Sequence, residues 1–121
     1  MLNFSDLMQI YVCMAPTDMR KGFDSLAAIV REGLGYDPLS GHLFVFRSRR
    51  SDRIKLLWWD RDGLALYYRR LEKGTFRFPT VNDSETKSIE ISSQELSLVL
   101  WGIDPASVKR QPRYQRVASE V

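Results

Sequence analysis

The chain has 121 residues, 44% hydrophobic and 27% charged, with a formal net charge of +3. Folding at this length buries roughly two thirds of the unfolded surface, enough for one sheet and a few helices. It excludes a cofactor half joined to a substrate half, the large catalytic cores that cut and join DNA, and wholesale disorder.

Residues 7–14 are apolar and rich in Ile, Tyr and Val, the composition of a buried strand that Pro16 closes. Thr17 is placed to cap a helix. Met19, Phe23, Leu26, Ala27, Val30 and Leu34 then recur at spacings of three and four, which predicts an amphipathic helix over 18–33, stopped by Gly33 and Gly35. Asp37-Pro38-Leu39-Ser40-Gly41 is a turn. Strands are expected at 43–47, 53–60 and 64–71, joined by connectors short enough for hairpins, with Asp62-Gly63 as the stronger turn signal. A further short edge strand is expected at 76–78, before Pro79. After a polar stretch at 80–88, Ile89 and Ile91 allow another short strand. Ser92 or Ser93 then caps a second helix, with Leu96, Val99, Leu100 and Ile103 on its apolar face and Gly102 near its end.

The expected fold is α+β: an antiparallel meander of four to six strands, with the first helix after strand one and the second at the C-terminal end. Residues 1–104 read as one domain and 105–121 as a basic tail. The longest uninterrupted apolar run covers only residues 10–15, against the ~20 needed for a membrane span. No basic residue precedes Arg20, so a secretory leader is not expected. The single Cys13 has no internal disulfide partner, which fits a reducing compartment. The expectation is a cytoplasmic protein with no membrane association.

Charge is segmental. Residues 47–78 hold ten basic and four acidic side chains, a balance of +6, whereas 79–104 balance at −4 and 1–46 at −2. Arg47, Arg49, Arg50, Arg53 and Lys55 place five cations in nine residues against Asp52 alone. On a projecting hairpin loop they form a footprint for a polyanion such as DNA. Alternation assigns Ile54, Leu56 and Trp58 to one face of their strand and Arg53, Lys55, Leu57 and Trp59 to the other, with Ala65, Tyr67 and Arg69 continuing that second face from the next strand. Cations interleaved with Trp59 and Tyr67 resemble a platform for stacking unpaired bases. The competing reading is that helices cover both faces and the aromatics are core. Arg20 and Lys21 fall in the first turn of the expected helix, where the macrodipole disfavours cations. They either mark an anion site or pair with Asp18 and Asp24.

Catalysis has little to stand on. His42 is the only histidine and has no partner at metal-ligand spacing. There is no Gly-x-Ser-x-Gly elbow and no phosphate-cradling Gly-x-x-x-x-Gly-Lys loop. Asp18, Asp24, Asp60 and Asp62 could hold magnesium in principle, but strand ends and turns commonly carry such aspartates. No catalytic residue, cofactor or metal is expected.

Thr17-Asp18-Met19-Arg20-Lys21-Gly22-Phe23-Asp24-Ser25-Leu26, Asp37-Pro38-Leu39-Ser40-Gly41-His42-Leu43-Phe44-Val45-Phe46-Arg47, Ile54-Lys55-Leu56-Leu57-Trp58-Trp59-Asp60 and Arg70-Leu71-Glu72-Lys73-Gly74-Thr75-Phe76 stand in order along the chain. This series resembles the accessory-protein family encoded by the second open reading frame of insertion sequence 66 type elements, often labelled TnpB. The resemblance covers most of residues 10–103. It implies a bacterial, cytoplasmic, non-catalytic protein that assists transposition beside a separate transposase and another accessory protein. It carries over no binding residue. Trp59 departs from a position where the family often has a polar residue.

Two functions follow as expectations. In the first, the protein binds DNA at the element ends through Arg20, Lys21, Arg47, Arg49, Arg50, Arg53, Lys55 and Arg69. In the second, it is an adaptor that binds the transposase through an aromatic patch of Trp58, Trp59, Tyr67 and Tyr68.

Overall fold

The computed structural model describes residues 7–102. In chain order these form β1 (Ile10–Cys13), α1 (Phe23–Ala28), a π-helical turn (Ile29–Leu34), β2 (Leu43–Arg47), β3 (Arg53–Asp60), β4 (Gly63–Arg70), β5 (Ser88–Ile91) and α2 (Ser93–Trp101). Residues 103–121, with Ile103 of the expected second helix and the basic tail, lie outside the described residues.

The strands make one sheet in the order β4-β3-β2-β1-β5. β1 is buried along its whole length, as a strand of Ile, Tyr, Val and Cys must be. It pairs antiparallel with β5 but parallel with β2. The α+β class holds, while the sheet is mixed and not the expected antiparallel meander. Only β2, β3 and β4 form that meander. The reason lies in the connection: a strand that returns after a helical crossover arrives parallel, whereas a tight turn reverses the chain.

Alternation along the strands supplies two cores. One face packs Ile10, Val12, Leu43, Val45, Ile54, Leu56 and Ile91 against Leu96 and Val99 of α2 and against Phe76. The opposite face packs Tyr11, Cys13, Phe44, Phe46 and Leu57 against Leu26, Ala27 and Val30. Tyr11 stacks on Tyr36 with ring centroids 4.2 Å apart. Burial in this second core pushes the Cys13 thiol up from its ordinary pKa.

The first helix starts later than its periodicity predicts. Gly22, not Thr17, is its N-cap. Thr17 is buried instead, its N–H donating to the Arg47 carbonyl at 2.9 Å. Residues 18–21 form a turn in which the Asp18 carboxylate accepts from the Arg20 N–H at 2.9 Å and the Asp18 carbonyl from the Lys21 N–H at 3.1 Å. Such local bonding competes with helix formation. Arg20 and Lys21 therefore precede α1 and do not occupy its first turn. At the far end Gly35 adopts a left-handed φ of 78°, and the Tyr36 N–H closes on the Val30 carbonyl.

The second helix matches its sequence signals. Ser92 Oγ accepts from the Glu95 N–H at 3.0 Å, Glu95 returns to the Ser92 N–H at 2.9 Å, and Gly102 ends the helix in the left-handed region. Ser92→Ala is expected to cost about 0.5–2 kcal/mol, read from denaturant unfolding at unchanged m-value. Residues 76–78 are not the expected edge strand. Phe76 is buried in the core shared with α2, and its N–H donates to the Ser51 carbonyl, so this segment crosses a sheet face instead of extending an edge.

Candidate functional site

The β2–β3 connection is a pinned turn. Its sequence, Ser48-Arg49-Arg50-Ser51-Asp52, supplies short polar side chains that bond the backbone. The Ser51 N–H donates to the Ser48 carbonyl at 3.0 Å, the Arg53 N–H to Ser48 Oγ at 3.1 Å, and Ser48 Oγ to Asp52 Oδ1 at 3.1 Å. From outside the turn, the Leu71 N–H donates to the Asp52 carbonyl at 2.8 Å. Ser51 takes a positive φ of 59°, a strain these bonds hold in place. Arg49 and Arg50 occupy the two central positions and are exposed. Neither makes a hydrogen bond or an ion pair among the described residues. Asp52, the acid of this turn, is engaged by Ser48.

The bond from Thr17 to Arg47 brings the 18–21 turn alongside. Together the two turns border an open cleft of about 590 Å³ lined by Arg20, Arg49, Arg50 and Arg53, with Asp18 and Asp52 as its acids and Tyr68 in its wall. Cations exceed carboxylates there by two. Arg20 is not a bare cation: Nη2 lies 2.7 Å from Asp18 Oδ2 and Nε donates to both carboxylate oxygens at 3.1 Å. Of the two readings of Arg20, local pairing with Asp18 is the one observed, although its side chain stays 92% exposed.

The Arg20 guanidinium holds the Asp18 carboxyl down at about 2, from an ordinary 3.8. A carboxylate whose folded pKa is depressed stabilises the fold fully above its unfolded value, and that contribution is lost as pH falls from about 4 through about 2. An NMR titration of Asp18 is expected to give a midpoint near 2, and Arg20→Ala to return it toward 3.8.

The other cations of the expected footprint are placed differently. Arg53 reaches Tyr68 Oη at 3.4 Å at the cleft wall. Arg47 Nη2 donates to the Met14 carbonyl at 2.6 Å, turned inward to tie β2 to the end of β1. Lys55 is only 5% exposed; its Nζ donates to the Lys21 carbonyl at 2.7 Å and sits 4.6 Å from the Tyr68 ring centre. The Lys21 side chain is exposed but borders a separate hollow beside Glu32. Arg69 lies over the Phe76 ring, 5.8 Å from its centre, on the opposite sheet face from Lys55.

The stacking platform is corrected by register. Lys55 opposes Tyr68, Leu56 opposes Tyr67 and Trp59 opposes Leu64, so Tyr67 and Arg69 share a face with Ile54 and Leu56, not with Trp59. Trp58 and Tyr67 pack on the core beneath α2, while Trp59 and Tyr68 lie on the other face. The four aromatics therefore do not form one patch, and only Tyr68, at 47%, is strongly exposed. Thr17, Ser48 and Asp52, which build the cleft, were absent from the expected set; the Ser-Arg-Arg-Ser-Asp turn composition was the available signal. Among the described residues no cluster of three His, Cys, Asp or Glu side chains gathers to hold a metal ion, and no helix is long and apolar enough to cross a membrane.

The fold and site define a small α+β protein whose mixed sheet presents a rigid, arginine-tipped turn beside an open cationic cleft. The family model described as IS66 Orf2-like protein matches residues 8–110, and the chain belongs to that family. It is 39% identical to the uncharacterized protein y4jC of Sinorhizobium fredii (strain NBRC 101917 / NGR234), over 93% of each chain. It is 41% identical to the uncharacterized protein y4hO of the same strain, over 86% of this chain and 88% of the relative. No solved structure gives a significant match. Family membership ties the chain to an accessory role in IS66-type transposition.

Proposed function

We propose that the protein is a non-catalytic accessory factor, acting in the bacterial cytoplasm, that binds the DNA of its element through the Arg49–Arg50 turn and the adjoining cleft. The observation that carries this reading is the pair of exposed guanidinium groups at the tip of a turn that its own hydrogen bonds and Leu71 hold rigid. A preorganised turn loses little entropy on meeting a phosphate backbone, and Arg matches phosphate oxygens in a bidentate way. Arg53 and Tyr68 extend the surface along the cleft. Arg20, released from or shared with Asp18, adds a further contact.

The test is a fluorescence-anisotropy titration with element-end, scrambled and unpaired DNA at two salt concentrations. Binding that weakens steeply with salt is expected, because phosphate contacts release counterions. Absence of binding at low salt, or binding that ignores salt, would refute the reading. The transposase-adaptor alternative has less to support it, since Trp58 and Tyr67 are divided from Trp59 and Tyr68 by the sheet. A transposase complex that survives nuclease treatment would favour it nonetheless.

A further inference from the structure

The two edges of the sheet are unlike. β5 spans four residues and carries the exposed Glu90, the short, charged edge that discourages pairing. β4 spans eight residues with a continuous register against β3, no bulge, no proline and no charge from Leu64 to Tyr68. No described strand pairs with its outer side. Such an edge is a template for another strand.

The charge pattern of β4 selects the occupant. Asp62 stands just before the strand, and Arg69 and Arg70 close it. We infer that β4 pairs antiparallel with β4 of a second copy of this chain, about a two-fold axis at Leu66, to make a ten-stranded sheet. In that register Leu66 opposes the partner's Leu66, Leu64 opposes the partner's Tyr68, and Asp62, in the turn that opens β4, comes beside the partner's Arg70. Shifting the pairing by two residues toward the C-terminus sets Asp62 against the partner's Glu72, a like-charge contact, and leaves Arg70 facing a leucine. A parallel pairing stacks Arg70 on its own copy. Only the antiparallel register centred on Leu66 makes both charged ends complementary, and it does so twice by symmetry. Arg70 bonds Glu72 at 2.9 Å within its own chain, but both side chains are more than half exposed, so this pair is open to the partner's Asp62.

The inference does not rest on the DNA-binding reading. The Arg49–Arg50 turn sits at the end of the sheet where β4 closes, and Tyr68 belongs both to the cleft wall and to the pairing. The two readings nevertheless have separate readouts, salt-dependent binding lost with Arg49 and Arg50 against dimer mass lost with Asp62→Arg, so either can fail alone.

Sedimentation equilibrium on the full chain tests it, with circular dichroism confirming that each variant folds. The expected mass rises with concentration toward about 28 kDa, twice the 14.1 kDa chain. Asp62→Arg shifts the transition to at least tenfold higher concentration, and the double variant Asp62→Arg/Arg70→Asp restores it. Hydrogen exchange in β4 slows as wild-type concentration rises. A 14.1 kDa mass throughout overturns the inference, including the case where β4 is protected at every dilution and so paired within its own chain. A dimer indifferent to Asp62→Arg, or not recovered in the double variant, overturns it equally.

Discussion

Replacing Arg49 and Arg50 together with Ala is expected to weaken duplex DNA binding by about ten- to a hundredfold at moderate salt and to flatten the log–log salt slope by about 1.8, or 0.9 per lost phosphate contact. Both side chains are exposed and unpaired among the described residues, so their removal leaves the fold intact. Surface substitutions of this kind shift stability by no more than about 0.5 kcal/mol. An unchanged slope in a folded double variant would remove the basis for the proposed function. Arg47→Ala is a contrasting control. Arg47 reaches the Met14 carbonyl, so its loss acts on stability before it acts on any ligand.

The second large effect belongs to the face of β3 that the alternation offered as a binding platform. Leu57 on that face is fully buried among Phe44, Phe46, Leu26 and Val30. Leu57→Ala is therefore expected to cost about 2–5 kcal/mol, the loss of a buried side chain plus the cavity it leaves. In a domain with a typical 5–15 kcal/mol in total, this is readily measured by urea unfolding. A cost under about 0.5 kcal/mol would mean that the face is open. Lys55→Met makes the companion measurement. It keeps the stem that packs under Tyr68 but deletes the bond to the Lys21 carbonyl, so it is expected to leave the salt slope of DNA binding unaltered.

Much of the architecture was legible because its signals are local. β2 and β3 begin and end where their composition changes, and the predicted strand at 64–71 is displaced by one residue from β4. Ser92, Glu95 and Gly102 specify α2 through bonds spanning a few residues. The first helix misled because Met19 continues the apolar stripe into a segment whose Asp18 side chain folds the backbone into a turn. Periodicity records which side chains pack on the core, and a partly buried turn residue such as Met19 meets that criterion as well as a helical one.

The arginine cluster was equally legible as a concentration of charge, yet its members were not equivalent. Arg49 and Arg50 project because Ser48 and Asp52 close the turn beneath them. Arg47 and Lys55 are captured by carbonyl oxygens 33 and 34 residues away in the chain. Alternation gave each strand its two faces, but the register between β3 and β4 decided that Trp59 and Tyr67 point to opposite sides.

By itself the sequence determined the α+β class, the positions of most elements, the cationic middle segment and the family. These depend on hydrophobic period, capping and composition, all contained within short windows. Tertiary structure alone decided that β1 runs parallel to β2, that β4 is the long edge left open among the described residues, and which of their cations remain free. Those outcomes are settled by hydrogen bonds and packing between residues far apart in the chain, and a carbonyl that captures a lysine leaves no trace in the residues beside it.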